Sequence, residues 1–148
     1  MDFYKLLHED HLKAESLLQN LEDTTERDKY ARENLIRELE SELSVHSDAE
    51  EKFLYSRLQR IDATEDLAFE AVEQHKVIKT LLEELVDEPK GTAEWSAKLA
   101  VLKQNLEQHI QEEEGPLFSK AKKALSKEEA GLIGEAIATY KEQRAVSA

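Results

Sequence analysis

The sequence predicts an all-α protein, organised as an up-down four-helix bundle with a short fifth helix at its C-terminal end. The 148 residues include only four glycines and two prolines, while 36% of the residues are charged and 40% are hydrophobic. This composition is typical of long amphipathic helices. Apolar residues also recur at helical spacing in four long stretches, which are separated by polar or turn-forming segments.

The helix boundaries follow from breaks in the apolar pattern and from capping residues. Asp62 with Glu65 offers a capping box for the third helix, which is expected to end before Pro89. Thr92 can cap the fourth helix, in which a bend is expected at Gly115–Pro116. The first, second, fourth and fifth helices are expected to cover about residues 3–21, 29–61, 95–124 and 127–143. The prediction is therefore a single domain, residues 1–148, with the bundle at about residues 3–124.

The composition also restricts the partners and the chemistry. The formal net charge of −13 works against binding to nucleic acid or to an anionic membrane, since both attract Lys and Arg. No apolar run approaches the ~20 residues that a membrane span needs, and the N-terminal residues lack a signal pattern, so we expect a cytoplasmic protein. Because the chain has no cysteine, any metal must be bound by nitrogen and oxygen.

An internal repeat reproduces polar residues as well as leucines. His11 and His75, 64 residues apart, each begin the pattern histidine, five residues, two leucines, two residues and a leucine. His46 and His109, 63 residues apart, each precede a pair of glutamates and then a leucine–aromatic–serine sequence. Two helical hairpins of equal length therefore carry matching residues at matching heights, as in a doubled αα-hairpin.

The repeated histidines fall in the apolar stripes of their helices and predict one polar layer inside the core. His46 and His109 each precede a glutamate, Glu50 or Glu113, by four residues, a pattern written HxxxE. This spacing puts the histidine and the glutamate on the same helix face, about 6 Å apart along the axis. Burying two carboxylates without a cation is costly, and neutral imidazoles cannot supply the positive charge. The pattern predicts a site for two multivalent metal ions, held by His11, His46, Glu50, His75, His109 and Glu113.

The types of donor atom restrict which metals can bind. Four imidazoles and two carboxylates suit iron, copper, zinc or manganese, whereas calcium and magnesium prefer more oxygen ligands. Ferritin-like di-iron bundles use a glutamate followed three residues later by a histidine. No histidine here has a glutamate at that spacing, so the ferritin-like family is excluded.

Over about residues 4–120 the chain resembles the hemerythrin-like, or HHE cation-binding, family, whose members bind a non-haem di-iron centre. The resemblance implies two iron ions, one on His11 and His46 and the other on His75 and His109. It also implies that the two glutamates bridge the ions, together with an oxo or hydroxo group, and that each iron keeps open positions.

The function stays open between several alternatives. Respiratory hemerythrins carry a further histidine where this chain has Lys79, so we expect no efficient reversible oxygen carriage. The favoured hypothesis is a protein that binds or senses oxygen, nitric oxide or peroxide. The alternative is a di-iron enzyme that detoxifies peroxide or nitric oxide or repairs iron centres. An iron-handling bundle without redox turnover and a metal-free helical interaction domain also fit.

Side chains near the six candidate ligands carry further expectations. His8 is expected to be a partly exposed histidine rather than a ligand, and Glu15 to form an ion pair with Lys79. Glu51 and Glu114 are expected either to face solvent or to bond to histidine N–H groups. Four aromatic residues at helical spacing are expected to pack the core: Phe53, Tyr55, Trp95 and Phe118.

Overall fold

The described part of the chain forms five helices, and the all-α bundle predicted from the sequence is confirmed. A computed structural model describes the backbone of residues 1–147 and the side chains of residues 1–145. The helices are α1 (Phe3–Glu22), α2 (Lys29–Ala49), α3 (Glu65–Asp87), α4 (Ala93–Glu112) and α5 (Lys127–Ser147). Helices α1 to α4 pack in sequence around one core. No helix within residues 1–147 is long and apolar enough to span a membrane.

Two capping predictions have different outcomes. Thr92 caps α4 as expected, because its hydroxyl accepts a hydrogen bond from the backbone N–H of Trp95 at 3.1 Å. The predicted capping box at Asp62 is wrong, since α3 begins only after Thr64. The hydroxyl of Thr64 donates instead to the carbonyl of Leu58 at 2.7 Å, which stabilises the turn between α2 and α3.

Both HxxxE segments end in a π-helical turn that the periodicity did not predict. Helix α2 continues through a π turn (Glu50–Tyr55) into Ser56–Leu58, and α4 continues through a second π turn (Glu113–Leu117) into Phe118–Ala124. A π turn holds an extra residue and so rotates the residues that follow. The expected bend at Gly115–Pro116 falls inside the second π turn.

The π turns change which side chains face the core. An unbroken helical period after Glu50 and Glu113 would place Phe53 and Pro116 in the core, but Phe53 is half-buried and Pro116 is exposed. Leu54, Tyr55 and Leu117 are buried instead. Each π turn begins at a glutamate of the polar layer, so the rotation affects the walls of the candidate site directly.

The apolar core consists of two clusters separated by the polar layer. One cluster contains Phe3, Leu54 and Phe118, together with Ile137 from α5. The other occupies the opposite end of the bundle around Trp95, whose indole N–H donates to the carbonyl of Leu85 at 2.8 Å. The four repeated histidines lie between these clusters, in a layer shielded on both sides.

Helix α5 is longer than the sequence predicted and lies along α1 and α2. The expected helix covered residues 127–143, whereas the observed helix reaches Ser147. Arg57 of the α2 extension donates to Glu129 at 2.5 Å, and Lys141 forms an ion pair with Asp10 of α1. Through Asp10, α5 is connected to the polar layer.

Candidate metal centre

The structure brings the six predicted side chains together at the middle of the bundle. They form two groups, one of His11, His46, Glu50 and Glu113, and one of Glu50, His75, His109 and Glu113. Within each group, one possible ligand atom per residue lies within 4.8 Å of the others. All six side chains are buried, and the most exposed, His75, is only 7% accessible.

Each carboxylate reaches histidines of both groups. Glu50 Oε1 lies 2.8 Å from His46 Nε2 and 3.2 Å from His75 Nε2. Glu113 uses both oxygens, with Oε1 at 3.2 Å from His11 Nε2 and Oε2 at 3.6 Å from His109 Nε2. Carboxylates in these positions can serve as bridges between two metal ions.

A hydrogen bond on the far side of each imidazole orients the ring. Each Nδ1 can donate to an oxygen from a different segment: His11 to Glu114 at 2.5 Å, His46 to Asp10 at 2.9 Å, His75 to Glu51 at 2.8 Å and His109 to Gln74 at 2.6 Å. With the proton on Nδ1, the lone pair of Nε2 faces the centre, which is the tautomer that a metal needs.

Two of these orienting residues were missed by the sequence analysis. Asp10 and Gln74 directly precede His11 and His75, and they occupy equivalent positions in the repeat. The signal was therefore present, but each side chain bonds to a histidine on a neighbouring helix rather than to the one beside it. For Glu51, one of the two predicted alternatives, a bond to a histidine N–H, is what the structure contains.

Several buried polar atoms at the centre have no aligned hydrogen-bond partner. They are His11 Nε2, His46 Nε2, both oxygens of Glu50 and Oε1 of Glu113. His11 Nε2 lies 3.2 Å from Glu113 Oε1 and His46 Nε2 lies 2.8 Å from Glu50 Oε1, yet the directions of these contacts do not satisfy hydrogen-bond geometry. Buried polar atoms are nearly always paired, so donors that converge in this way fit ligands of a shared cation.

The electrostatics correct one step of the sequence argument. Burial lowers the pKa of a histidine, but the surrounding carboxylates, Glu50 foremost, together raise the pKa of His46 to about 10 and that of His75 to about 9. Burial and the nearby His75 lower the pKa of His109 to about 3. Without metal, protonated His46 and His75 neutralise the buried carboxylates. The case for a metal therefore rests on the convergent donor atoms and not on charge alone.

His8, Glu15 and Lys79 lie outside the centre. His8 is exposed, and its Nδ1 lies 2.8 Å from Oε1 of Glu114, the carboxylate that also orients His11. The predicted ion pair between Glu15 and Lys79 is wrong, because no such pair occurs among the described side chains and both residues are exposed. Each stands on the solvent side of its helix.

Tyr55 is a site residue that the sequence analysis assigned to the core. It is fully buried, its hydroxyl donates to Glu113 Oε2, and its Oη lies 3.5 Å from His75 Nε2. The repeat places Phe118 at the equivalent position. Helical periodicity could not reveal the contact, because the π turn after Glu50 rotates Tyr55 toward the centre.

A groove between α2 and α3 reaches His75 from the surface. It has a volume of about 670 Å³, and its lining includes Ser44, Ile78 and Lys79 as well as His75 and Glu51. A small molecule that entered this groove would reach the edge of His75, one of the candidate ligands.

Comparison with known proteins identifies the family. The family model described as the hemerythrin HHE cation binding domain matches residues 2–121. The chain belongs to this family. Its two His/Glu groups could hold metal, in agreement with a cation-binding domain.

One solved structure is similar over nearly the whole chain. It is the crystal structure of a hemerythrin HHE cation binding domain-containing protein from Mycobacterium kansasii, a homologue of Rv2633c. The two chains are 24% identical with a TM-score of 0.84, and the match covers 99% of this chain and 89% of the other. At this identity the likeness supports the fold alone. No curated protein matches the chain.

Proposed function

We propose that this hemerythrin-like protein is a non-haem di-iron protein that binds or senses a small oxidant. The observation that carries the proposal is the pair of four-residue groups that share both carboxylates. In this proposal one ion is held by His11 and His46, the other by His75 and His109, and Glu50 and Glu113 bridge them. Iron is chosen because imidazole and carboxylate together suit it and because the family is cation-binding.

The iron pair would supply redox chemistry and open positions for a small molecule. The chain's own residues prepare that chemistry. Hydrogen bonds from Nδ1 fix the tautomer and the ring orientation of each histidine, and the two apolar clusters exclude water above and below the polar layer. Little rearrangement of the side chains is then required when the ions bind.

The expected ligand is oxygen, nitric oxide or peroxide, which would enter by the groove between α2 and α3. This route is supported by the groove's contact with His75. Lys79 lines the groove and is exposed, so it does not supply the additional imidazole of a respiratory hemerythrin. We therefore expect oxidation rather than reversible oxygen carriage. The cytoplasmic location stays a prediction from the sequence.

The experiment is stopped-flow absorbance of the reduced, iron-loaded protein mixed with oxygen and then deoxygenated. We expect most of the protein to reach a stable oxidised state in the first cycle. Ser44→Trp, which places a large ring in the groove, should slow this reaction severalfold without changing the iron content. Ser16→Trp, at an exposed site on α1, is the matched control. Full recovery of the colourless ferrous protein over repeated cycles would instead establish a carrier.

A further inference from the structure

We propose that α5 responds to the oxidation state of the centre through the ion pair between Lys141 and Asp10. When the ion held by His11 and His46 is oxidised, this pair weakens, and the last described turns of α5 (residues 138–145, called the α5 end) open more often. The inference rests on the proposed two-ion site and deepens it, because it gives a sensing protein an output at its surface.

A continuous chain of contacts connects the centre with α5. Nδ1 of His46 donates to Oδ2 of Asp10 at 2.9 Å, and Nζ of Lys141 donates to Oδ1 of the same carboxylate. One oxygen of Asp10 therefore contacts a candidate ligand and the other contacts α5. The side chains of Asp10 and Lys141 are only 16% and 29% exposed, so solvent screens this pair less than it screens a surface ion pair.

The α5 end is attached less firmly than the rest of the helix. None of its described side chains is buried, and Ile137 is the last buried residue before it. The ring of Tyr140 packs against the half-buried Phe53, with centroids 5.8 Å apart, and Lys141 forms a less exposed ion pair than Arg144 does. A segment with few buried apolar contacts opens locally at a low free energy. The strength of one ion pair can therefore change how often the α5 end opens.

The internal repeat restricts this connection to one half of the centre. Gln74 occupies the position equivalent to Asp10, and its amide oxygen accepts from Nδ1 of His109 at 2.6 Å. The amide nitrogen of Gln74 donates to Glu112 of α4. His109 is thus oriented by a neutral amide within the bundle, whereas His46 is oriented by a carboxylate that is paired with α5. A carboxylate behind an imidazole makes the ring the more basic metal ligand.

The direction of the coupling follows from charge. Oxidation transfers one electron from a ferrous ion to the oxidant, so the positive charge beside His46 rises by one, and no bond of the chain breaks. The proton stays on Nδ1 of His46. The larger charge attracts the carboxylate of Asp10 toward the ring and repels the ammonium group of Lys141. Coupling is reciprocal, so Lys141 disfavours the ferric state by the same factor by which oxidation weakens its ion pair.

The experiment measures backbone hydrogen exchange of a peptide that covers the α5 end, by mass spectrometry. The iron-loaded protein is measured in the ferrous state and after oxidation with ferricyanide. We expect exchange in the unmodified protein to become about three- to tenfold faster on oxidation, which is less than the ~10- to 100-fold effect of a group that bonds a ligand directly. Lys141→Gln should exchange equally fast in both states, and Lys141→Arg should restore the difference.

Arg144→Gln is the matched control. Arg144 lies on the same helix, and its ion pair with the exposed Asp48, at 3.3 Å, joins α5 to the surface of α2. This variant should exchange faster than the unmodified protein in both states and should keep the difference between them. Loss of the difference in Arg144→Gln would mean that any anchor of the α5 end has this effect, and it would overturn the role of Lys141.

A second measurement tests the coupling in the reverse direction, by redox titration of the iron. Lys141→Gln should lower the midpoint potential of one of the two ions by about 28–59 mV, which is a three- to tenfold change at 59 mV per tenfold. Arg144→Gln should leave both potentials unchanged, because a contact that only anchors α5 does not affect the ion. Equal exchange of the α5 end in the ferrous and ferric unmodified protein, or an unchanged potential in Lys141→Gln, overturns the inference alone. A protein that binds no iron overturns the proposed function as well.

Discussion

Three consecutive glutamates make contacts of three different kinds, which allows a matched set of isosteric substitutions. Glu113 lies at the centre and contacts histidines of both groups. Glu114 orients His11 from behind at 2.5 Å. Glu112 is one link further away, because it accepts a hydrogen bond from Gln74, which in turn orients a histidine. Replacing each glutamate by glutamine changes one carboxylate at a time at nearly constant shape.

The expected effects can be ranked from these contacts. At free metal 1,000-fold above Kd, each bound ion stabilises the fold by about 4 kcal/mol. For a chain of this size that corresponds to about 8–16 °C in Tm. Glu113→Gln removes a carboxylate that we propose to bridge both ions, and it should abolish most of the metal-dependent shift. Glu114→Gln should weaken binding about 10- to 100-fold, which reduces the shift by about 3–11 °C. Glu112→Gln should change it by less than about 2 °C.

The assay is thermal unfolding followed by circular dichroism, with each variant measured in chelator and in excess metal. The metal-free Glu113→Gln protein should fold, because burial and the neighbouring Glu50 already raise the pKa of Glu113 to about 7 and favour a neutral side chain. If Glu112→Gln loses as much of the metal-dependent shift as Glu113→Gln, the assignment of the central carboxylate is wrong.

Three further predictions concern residues at and around the site. His8→Ala should leave the metal content unchanged in elemental analysis, since His8 is exposed and contacts only an orienting carboxylate. Without metal, the folded-state pKa values of His46 and His75, about 10 and about 9, exceed the unfolded value of about 6.5. The stabilisation from these two protonated histidines is complete below about pH 6.5 and is lost at higher pH. The Tm measured in chelator should therefore fall between about pH 7 and 9. A zinc-loaded sample should not show this decrease. Gly134→Ala should lower stability by about 1–3 kcal/mol in denaturant unfolding, because its Cβ would collide with the backbone of residues 1–3, whereas Gly131→Ala, with open space around it, should not.

The repeat and the helical period were sufficient to predict the fold class and to select the six central side chains. Histidines that interrupt four apolar stripes at matching heights must meet if the helices form one bundle, and they do. Buried charged residues are rare enough that their positions in the stripes carried much of the information.

Other features depend on interactions that a one-dimensional pattern does not contain. Asp10 and Gln74 orient histidines on neighbouring helices, so their partners depend on how the helices are rotated about their axes. The π turns after Glu50 and Glu113 break the helical period and rotate Tyr55 toward the centre. The difference between Tyr55 and Phe118 was visible in the repeat, but its meaning required the position of the hydroxyl.

The central claim, a two-ion iron site shared by two carboxylates, is tested most directly by loading the protein with ferrous iron without oxygen. Elemental analysis should then give two iron ions per chain, and Mössbauer spectroscopy after oxidation should show two magnetically coupled ferric ions. The Glu50→Gln protein, which lacks one shared carboxylate, should lose both ions together, since Glu50 contacts histidines of each group. A reproducible count of zero or one iron per chain in the unmodified protein, or uncoupled iron, would contradict the account.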